Sequence, residues 1–112
     1  MKSFTECCYE ILREVPRGKV TTYREIARAL RSKAYRAVGN AMNKNPHAPK
    51  VPCHRVVKTD GSVGGFASGT KNKISMLKGE GIEVVDGNID LGKYLYKFKR
   101  ETIKSYSYLS LH

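Results

Sequence analysis

Between Thr22 and Asn43 the chain carries two short amphipathic helical patterns with almost nothing between them, a spacing that few folds accommodate. Thr22-Tyr23-Arg24-Glu25 has the form of a capping box, in which the hydroxyl takes the Glu25 amide and the carboxylate reaches back. Ile26, Ala27 and Leu30 give this first helix a buried side. The pattern breaks at Arg31-Ser32, and Ser32 is predicted to cap a second helix from Lys33 to about Asn43. At roughly 100° per residue, Ala34, Val38, Ala41 and Met42 share one face of it. Lys33, Arg36, Asn40 and Asn43 share the opposite face, which the small residues Ala37 and Gly39 keep low. Two short helices around a tight turn are the plan of a helix-turn-helix unit. A helix offering Arg and Asn among small neighbours suits a nucleic-acid groove, although the same pattern describes an ordinary surface helix.

The rest of the chain predicts a mostly helical fold with a short β-hairpin. Ser3 to Val15 reads as a helix on Phe4, Cys8, Ile11, Leu12 and Val15, ended by Pro16-Arg17-Gly18-Lys19. Asn45-Pro46-His47-Ala48-Pro49 is a loop that leads directly into Pro52-Cys53. Arg55 to Lys58 and Ser62-Val63 look like strands around a Thr59-Asp60-Gly61 hairpin turn. Gly64 to Gly69 is a Gly-rich loop without the Gly-Lys-Ser/Thr ending of a phosphate loop. Lys71 to Glu80 is a helix on Ile74 and Leu77, with Gly81 near its C-cap, and Ile82 to Val85 is extended. In the tail, Leu91, Tyr94, Leu95 and Phe98 have helical spacing. At 112 residues one domain is expected: residues 1–85 as the binding and active-site domain, residues 86–112 as a basic, aromatic extension packed on it.

Charge narrows the partner. Against 10 Asp+Glu stand 21 Lys+Arg, a net +11 that attracts polyanions. Nucleic acid leads, because neutralised phosphates release counterions; a membrane surface or a merely solubilising Lys-rich shell would carry the same charge. No apolar run has the length of a bilayer span or a secretion signal, so the expected place is the cytoplasm. The three cysteines suit it: Cys7 and Cys8 are adjacent, Cys53 is far away, and no disulfide framework or Cys-x-x-Cys metal pair results. No metal and no cofactor are expected.

The chemistry concentrates at Cys53-His54. A cysteine attacks as its thiolate, so its proton must go to a base. His54 is the nearest base in sequence, and a turn entered through Pro52 lets the two converge with a water carrying the proton between them. On its own, the dipeptide better fits a buried thiol beside a structural histidine.

Its surroundings are more specific. Pro52-Cys53-His54-Arg55-Val56 follows Arg36-Ala37-Val38-Gly39-Asn40-Ala41-Met42 and Asn45-Pro46. Gly18-Lys19-Val20, Thr22-Tyr23, Gly64-Gly65 and Lys78-Gly79-Glu80-Gly81 complete the series. In this order, from Phe4 to Val85, the chain resembles the O6-alkylguanine-DNA alkyltransferases, or methylated-DNA–protein-cysteine methyltransferases. The resemblance implies the winged-helix-like alkyltransferase domain, with the N-terminal domain of larger members reduced here to a first helix. It implies DNA repair by a monomer acting on double-stranded DNA that contains alkylated guanine (O4-methylthymine being a further candidate substrate). The alkyl group would pass irreversibly to Cys53 after the base is flipped from the minor-groove side.

By the same resemblance, His54 relays the thiol proton through water, Glu80 is the acid behind it, and Asn45 braces the cysteine turn. Tyr23 pushes on the phosphate backbone and protonates the departing guanine, and Arg36 fills the space left in the duplex. Arg24, Lys33, Ala37, Asn40 and Thr59 are the further candidate DNA contacts. Val56, Phe66, Ala67 and Ser68 are the candidate walls of the base pocket. Phe66 stands where tyrosine is common, and Ala67-Ser68-Gly69 replaces a Ser-Gly-Gly-like run. Three rivals remain: a DNA binder that flags lesions without repairing them, a plain helix-turn-helix regulator, and a thiol hydrolase. Cys53 speaks against the first, the Pro-Cys-His-Arg-Val run against the second, and the basic charge gives no reason for the third.

Overall fold

The computed structural model describes residues 3–44, 51–64 and 70–99. Helix α1 spans Phe4–Leu12, with the Ser3 hydroxyl accepting from the Glu6 amide at 3.1 Å. Cys7, Cys8, Ile11 and Leu12 are buried along it. The helix stops short of the predicted Val15, because the chain tightens into i→i+3 bonds, Glu14 N–H to Ile11 and Val15 N–H to Leu12. Val15 still reaches the core.

Strand β1, Thr21–Thr22, leads straight into helix α2, Tyr23–Ala29. The Thr22 hydroxyl accepts from the Glu25 amide at 3.0 Å, as the capping pattern predicts, while the Glu25 carboxylate turns to Arg28 at 3.4 Å. Helix α3 spans Tyr35–Asn43, two residues later than expected. Ser32 does not cap it: its hydroxyl accepts from the Ala34 amide at 3.0 Å, within a turn that Arg31 makes at φ 54°. Ala34 therefore precedes the helix and is exposed, contrary to its predicted place on the buried face, which is made by Val38, Ala41 and Met42. The Tyr9 hydroxyl donates to the Ala41 carbonyl at 2.8 Å and ties α1 to α3.

The predicted hairpin is replaced by a parallel pair. Strand β2, Val56–Val57, lies beside β1 with Thr21 opposite Val56 and Thr22 opposite Val57. The turn at 58–62 does close, Lys58 N–H donating to the Ser62 carbonyl at 2.9 Å, but Ser62 then bridges to Asn88. Helix α4, Thr70–Gly79, is followed by Gly81 at φ 85°. The tail forms only one helical turn, α5 Leu91–Tyr94, rather than the longer helix its spacing suggests. It then runs extended, Tyr96 N–H donating to the Val20 carbonyl at 2.8 Å.

Two apolar clusters result. One joins α1, α2 and α3 to Val51, Cys53 and Val56, with Tyr96 and Phe98 packed against it. The other joins Val20, Val57, Val63, Leu77, Ile82, Ile89 and Tyr94. A buried aliphatic side chain such as Ile11 contributes about 1.5–3 kcal/mol, so α1 is anchored mainly by this packing. Among the described residues no helix is long and apolar enough to cross a membrane.

Candidate active site and nucleic-acid interface

Pro52, at φ −81° and ψ 68°, makes an inverse γ-turn, Cys53 N–H donating to the Val51 carbonyl at 2.8 Å. Cys53–Arg55 then form one 3₁₀ turn, closed by Arg55 N–H to the Pro52 carbonyl at 2.9 Å. Proline suits this corner because its φ is preset and its position asks for no N–H donor. In such a turn successive side chains diverge by about 120°, so Cys53 and His54 point different ways. Cys53 is 7% exposed, so its sulfur is nearly closed to solvent.

His54 is buried and its Nε2 lies 2.9 Å from Glu80 Oε2. Glu80 sits just beyond α4 and also takes Arg55, Nε to Oε1 at 2.9 Å and NH2 to Oε2 at 2.6 Å. Burial alone would raise the Glu80 carboxyl, but the hydrogen bonds from Arg55 and His54 outweigh it and hold it near 2. Glu80 is therefore ionised and an acceptor only, which assigns the proton of neutral His54 to Nε2. Burial pushes the imidazole below its ordinary value, partly opposed by Glu80 and assisted by the Arg55 and Lys73 charges. A nitrogen base lowered in this way is neutral at physiological pH and able to accept a proton.

The parallel β1–β2 pair carries Tyr23 to this site. Tyr23 follows Thr22 directly, and its phenol is pushed up, first by burial and then by Cys53. With Arg24, Thr59 and Tyr35, Tyr23 lines an open cleft of about 240 Å³. A neighbouring cleft of about 270 Å³ is bordered by Arg24, Arg28, Arg31, Ser32, Lys33 and Tyr35. Lys33, Arg36 and Asn40 are exposed and Ala37 is half-buried, so the outer side of α3 is polar and low. The backbone of Val56 is engaged on both sides: its N–H donates to the Cys53 carbonyl, and its own carbonyl accepts from Lys73. Asn45, Phe66, Ala67 and Ser68 lie outside the described residues. Among the described residues no group of three or more His, Cys, Asp or Glu could hold a metal ion.

Sequence reasoning missed three residues here. Lys73 is 1% exposed, and its Nζ donates to the Val56 carbonyl at 2.6 Å, within electrostatic reach of Cys53. On a helical wheel it sits one position before Ile74 and looks like an ordinary solvent lysine. Arg55 stood at the start of a predicted strand; its charge between His54 and Val56-Val57 was the available signal. Tyr35 is 48% exposed at the start of α3, an aromatic left outside the core next to the cationic cleft.

Residues 3–82 match the family described as 6-O-methylguanine DNA methyltransferase, DNA binding domain. The chain is 42% identical over 89 residues to a bifunctional methyltransferase/endonuclease of Picrophilus torridus, covering 79% of this chain and 30% of that protein. It is 46% identical over 76 residues to a methylated-DNA–protein-cysteine methyltransferase of Methanosarcina barkeri, covering 67% of this chain and 48% of that one. The chain thus spans less than half the length of these curated relatives. Among solved structures it resembles S. pombe Atl1 in complex with damaged DNA containing O6-carboxymethylguanine. The TM-score is 0.78 at 30% identity, over 88% of this chain and 100% of that one. With the match running through α1–α3, the Cys53 turn and α4, the chain belongs to the family of the 6-O-methylguanine DNA methyltransferase DNA-binding domain.

Proposed function

We propose that this chain repairs double-stranded DNA by moving an alkyl group from O6 of guanine onto Cys53, once per molecule and irreversibly. The carrying observation, in a chain of this family, is that Cys53 shares one 3₁₀ turn with His54, whose Nε2 is held 2.9 Å from an ionised Glu80. The thiol proton passes through a water to His54 Nδ1. The sulfur forms a bond to the alkyl carbon as the bond from that carbon to O6 breaks. The electron pair goes to the guanine, which takes a proton from the Tyr23 phenol; solvent restores the phenol. The product is a thioether, whose carbon–sulfur bond offers no carbonyl for water to attack.

Because Cys53 is only 7% exposed and O6 is locked in the base stack, the base must leave the duplex to react. Flipping costs a few kcal/mol, which phosphate contacts and an inserted side chain offset. Arg36 is the inserting residue in this reading. Arg24, Lys33, Ala37, Asn40 and Thr59 meet the backbone around it, and Tyr23 presses on the phosphate at the flipped nucleotide. Val56, Phe66, Ala67 and Ser68 enclose the extruded base and Asn45 braces the turn, by their match to the family's positions. The working form is a monomer in the cytoplasm without a cofactor, and residues 86–112 form an extension of the domain 1–85.

The test is the intact mass of the protein after incubation with a duplex oligonucleotide containing O6-methylguanine. The expected gain is one methyl group on Cys53, saturating at one per chain and lost in Cys53→Ala. The likeness over its whole length to Atl1, whose structure holds damaged DNA, supports lesion binding, and the alternative reading is lesion binding without transfer. Tight lesion binding with an unchanged mass would establish that alternative instead.

A further inference from the structure

Glu80 is gripped far more firmly than a partner for one histidine requires. Arg55 approaches it side-on, Nε to Oε1 at 2.9 Å and NH2 to Oε2 at 2.6 Å. This bidentate fork is the geometry in which an arginine fixes both the position and the plane of a carboxylate. The third nitrogen of the same guanidinium donates to the Val15 carbonyl at 2.9 Å. Two residues on, Arg17 NH2 donates to the carbonyl of Gly79, next to Glu80, at 2.8 Å. The turn after α1, the Cys53 turn and the end of α4 are thus tied together at one carboxylate. Arg55 is 16% exposed and Glu80 10%, so solvent screens the ion pair only in part.

We propose that Arg55 is a positioning residue for the transfer: by gripping both oxygens of Glu80 and the Val15 carbonyl, it fixes the acid that orients His54, and so sets the tautomer with which His54 meets Cys53. This rests on the alkyl-transfer reading above. Oε2 of Glu80 is shared by His54 Nε2 and Arg55 NH2, so the carboxylate does not spend its whole charge on the imidazole. Arg55 thereby has two effects. It holds the acceptor in place for Nε2–H, leaving Nδ1 as the basic nitrogen, and it keeps the ring from being protonated before Cys53 delivers its proton. Among the described residues, the charged or titratable groups around His54 are Glu80 beyond α4, Lys73 on α4, and Arg55 and Cys53 in its own turn. Arg55 and Lys73 push its protonation down and Glu80 pulls it up, against a background of burial that pushes it down.

The sign follows. His54 must be neutral to act, so the transfer rate falls on the acid side as His54 protonates. Without the Arg55 charge, Glu80 serves His54 alone and protonation occurs at higher pH. Single-turnover methyl transfer from the O6-methylguanine duplex, followed by intact mass between pH 5.5 and 9, should therefore separate two variants. Arg55→Gln, which keeps N–H donors but no charge, is expected to move the acid limb up by about 0.5–1 pH unit. Arg55→Lys, which keeps the charge but loses the fork, is expected to leave the limb in place and lower the plateau about tenfold. A merely structural tie would lower the melting temperature of both variants and leave the limb of both where the wild type has it. That result overturns the proposal, as does a wild-type plateau in Arg55→Lys. NMR titration of His54 in the full chain gives a readout independent of transfer. If the wild type gains no methyl group, the transferase reading fails, and the Arg55 proposal stands or falls on whether Arg55→Gln raises the His54 midpoint.

Discussion

Lys73→Met tests the electrostatics of the site most directly, because two opposing costs are of similar size. Lys73 is 1% exposed, and burial pulls its amine from 10.5 down to about 8, against the pull of Cys53 and with the help of the Lys58 charge. Keeping it charged at pH 7 therefore costs about 3 kcal/mol. Methionine removes that cost. It also leaves the Val56 carbonyl without the Lys73 donor, a loss of about 1–3 kcal/mol. The variant should lie within about 1 kcal/mol of the wild type at pH 7, an unusually small effect for a buried position.

The pH dependence then carries the argument. The folded-state value lies below the unfolded one, so between pH 8 and 10.5 the unfolded chain binds more protons, and stability attributable to Lys73 rises with pH. Tyr9, Tyr23 and Cys8, the last pushed up to about 12, act the other way in both proteins and cancel in the comparison. Urea unfolding followed by circular dichroism should show wild type and Lys73→Met nearly equal at pH 7. At pH 10 the wild type should be ahead by about 2–3 kcal/mol. A variant already 3 kcal/mol weaker at pH 7, with no widening by pH 10, would mean that the buried ammonium is a net stabiliser, and the reasoning would be wrong. Methyl transfer should fall in the variant even where stability does not, since the thiolate loses its nearby cation.

Glu80→Gln should remove a stability difference that the wild type has above pH 4.5 and loses as pH falls toward 2, worth about 2 kcal/mol after allowance for partial solvent contact. Acid unfolding of the two proteins checks it, and transfer at pH 7.5 should drop by about 10²-fold, the range of a disabled acid–base relay. Gly61→Ala should cost at least about 2 kcal/mol, because Gly61 holds φ 91° and a Cβ there would lie 2.7 Å from the Ile89 carbonyl oxygen. Gly81→Ala, at φ 85° with nothing within 4 Å, should cost only the backbone part, about 1 kcal/mol; equal losses in thermal melts would refute the close approach at Gly61. Arg36→Ala should slow repair of duplex DNA and largely spare reaction with free alkylguanine, since Arg36 is exposed on α3; equal losses on both substrates would assign it to the fold.

What could be read from sequence was local. Thr22 and Glu25 announce the start of α2, and the inward face of α3 follows from Val38, Ala41 and Met42, because helical periodicity is set by residues close together in the chain. The start of α3 was misread because Ser32 has the right chemistry for a cap and uses it on a turn instead. The partner of Val56-Val57 was misread for a different reason. A parallel pairing needs a long crossover and leaves no turn signal, whereas Thr59-Asp60-Gly61 imitates a hairpin. The candidate site divides the same way: Cys53 and His54 stand side by side in the text, and the resemblance supplied Glu80. Arg55 and Lys73 are ordinary surface residue types until the fold buries them, and no periodicity records that.

The parallel pair and the arginine fork suit a nucleophile used once. In a hydrolase the histidine must give its proton back to a leaving group, so a base whose proton is easily released serves turnover. In the proposed transfer no second step asks for the proton. The imidazolium, once formed, stays opposite a carboxylate that Arg55 and His54 together hold ionised down to about pH 2. Burial of His54 still keeps the base neutral beforehand. The arrangement therefore needs rigidity rather than exchange, and its ties are rigid ones. The γ-turn at Pro52 fixes the sulfur, β1 against β2 fixes Tyr23 beside it, and Arg55 binds Glu80 and Val15 at once. Loosening any one tie should slow the single transfer without creating turnover, because an alkyl thioether offers no carbonyl for an activated water to attack.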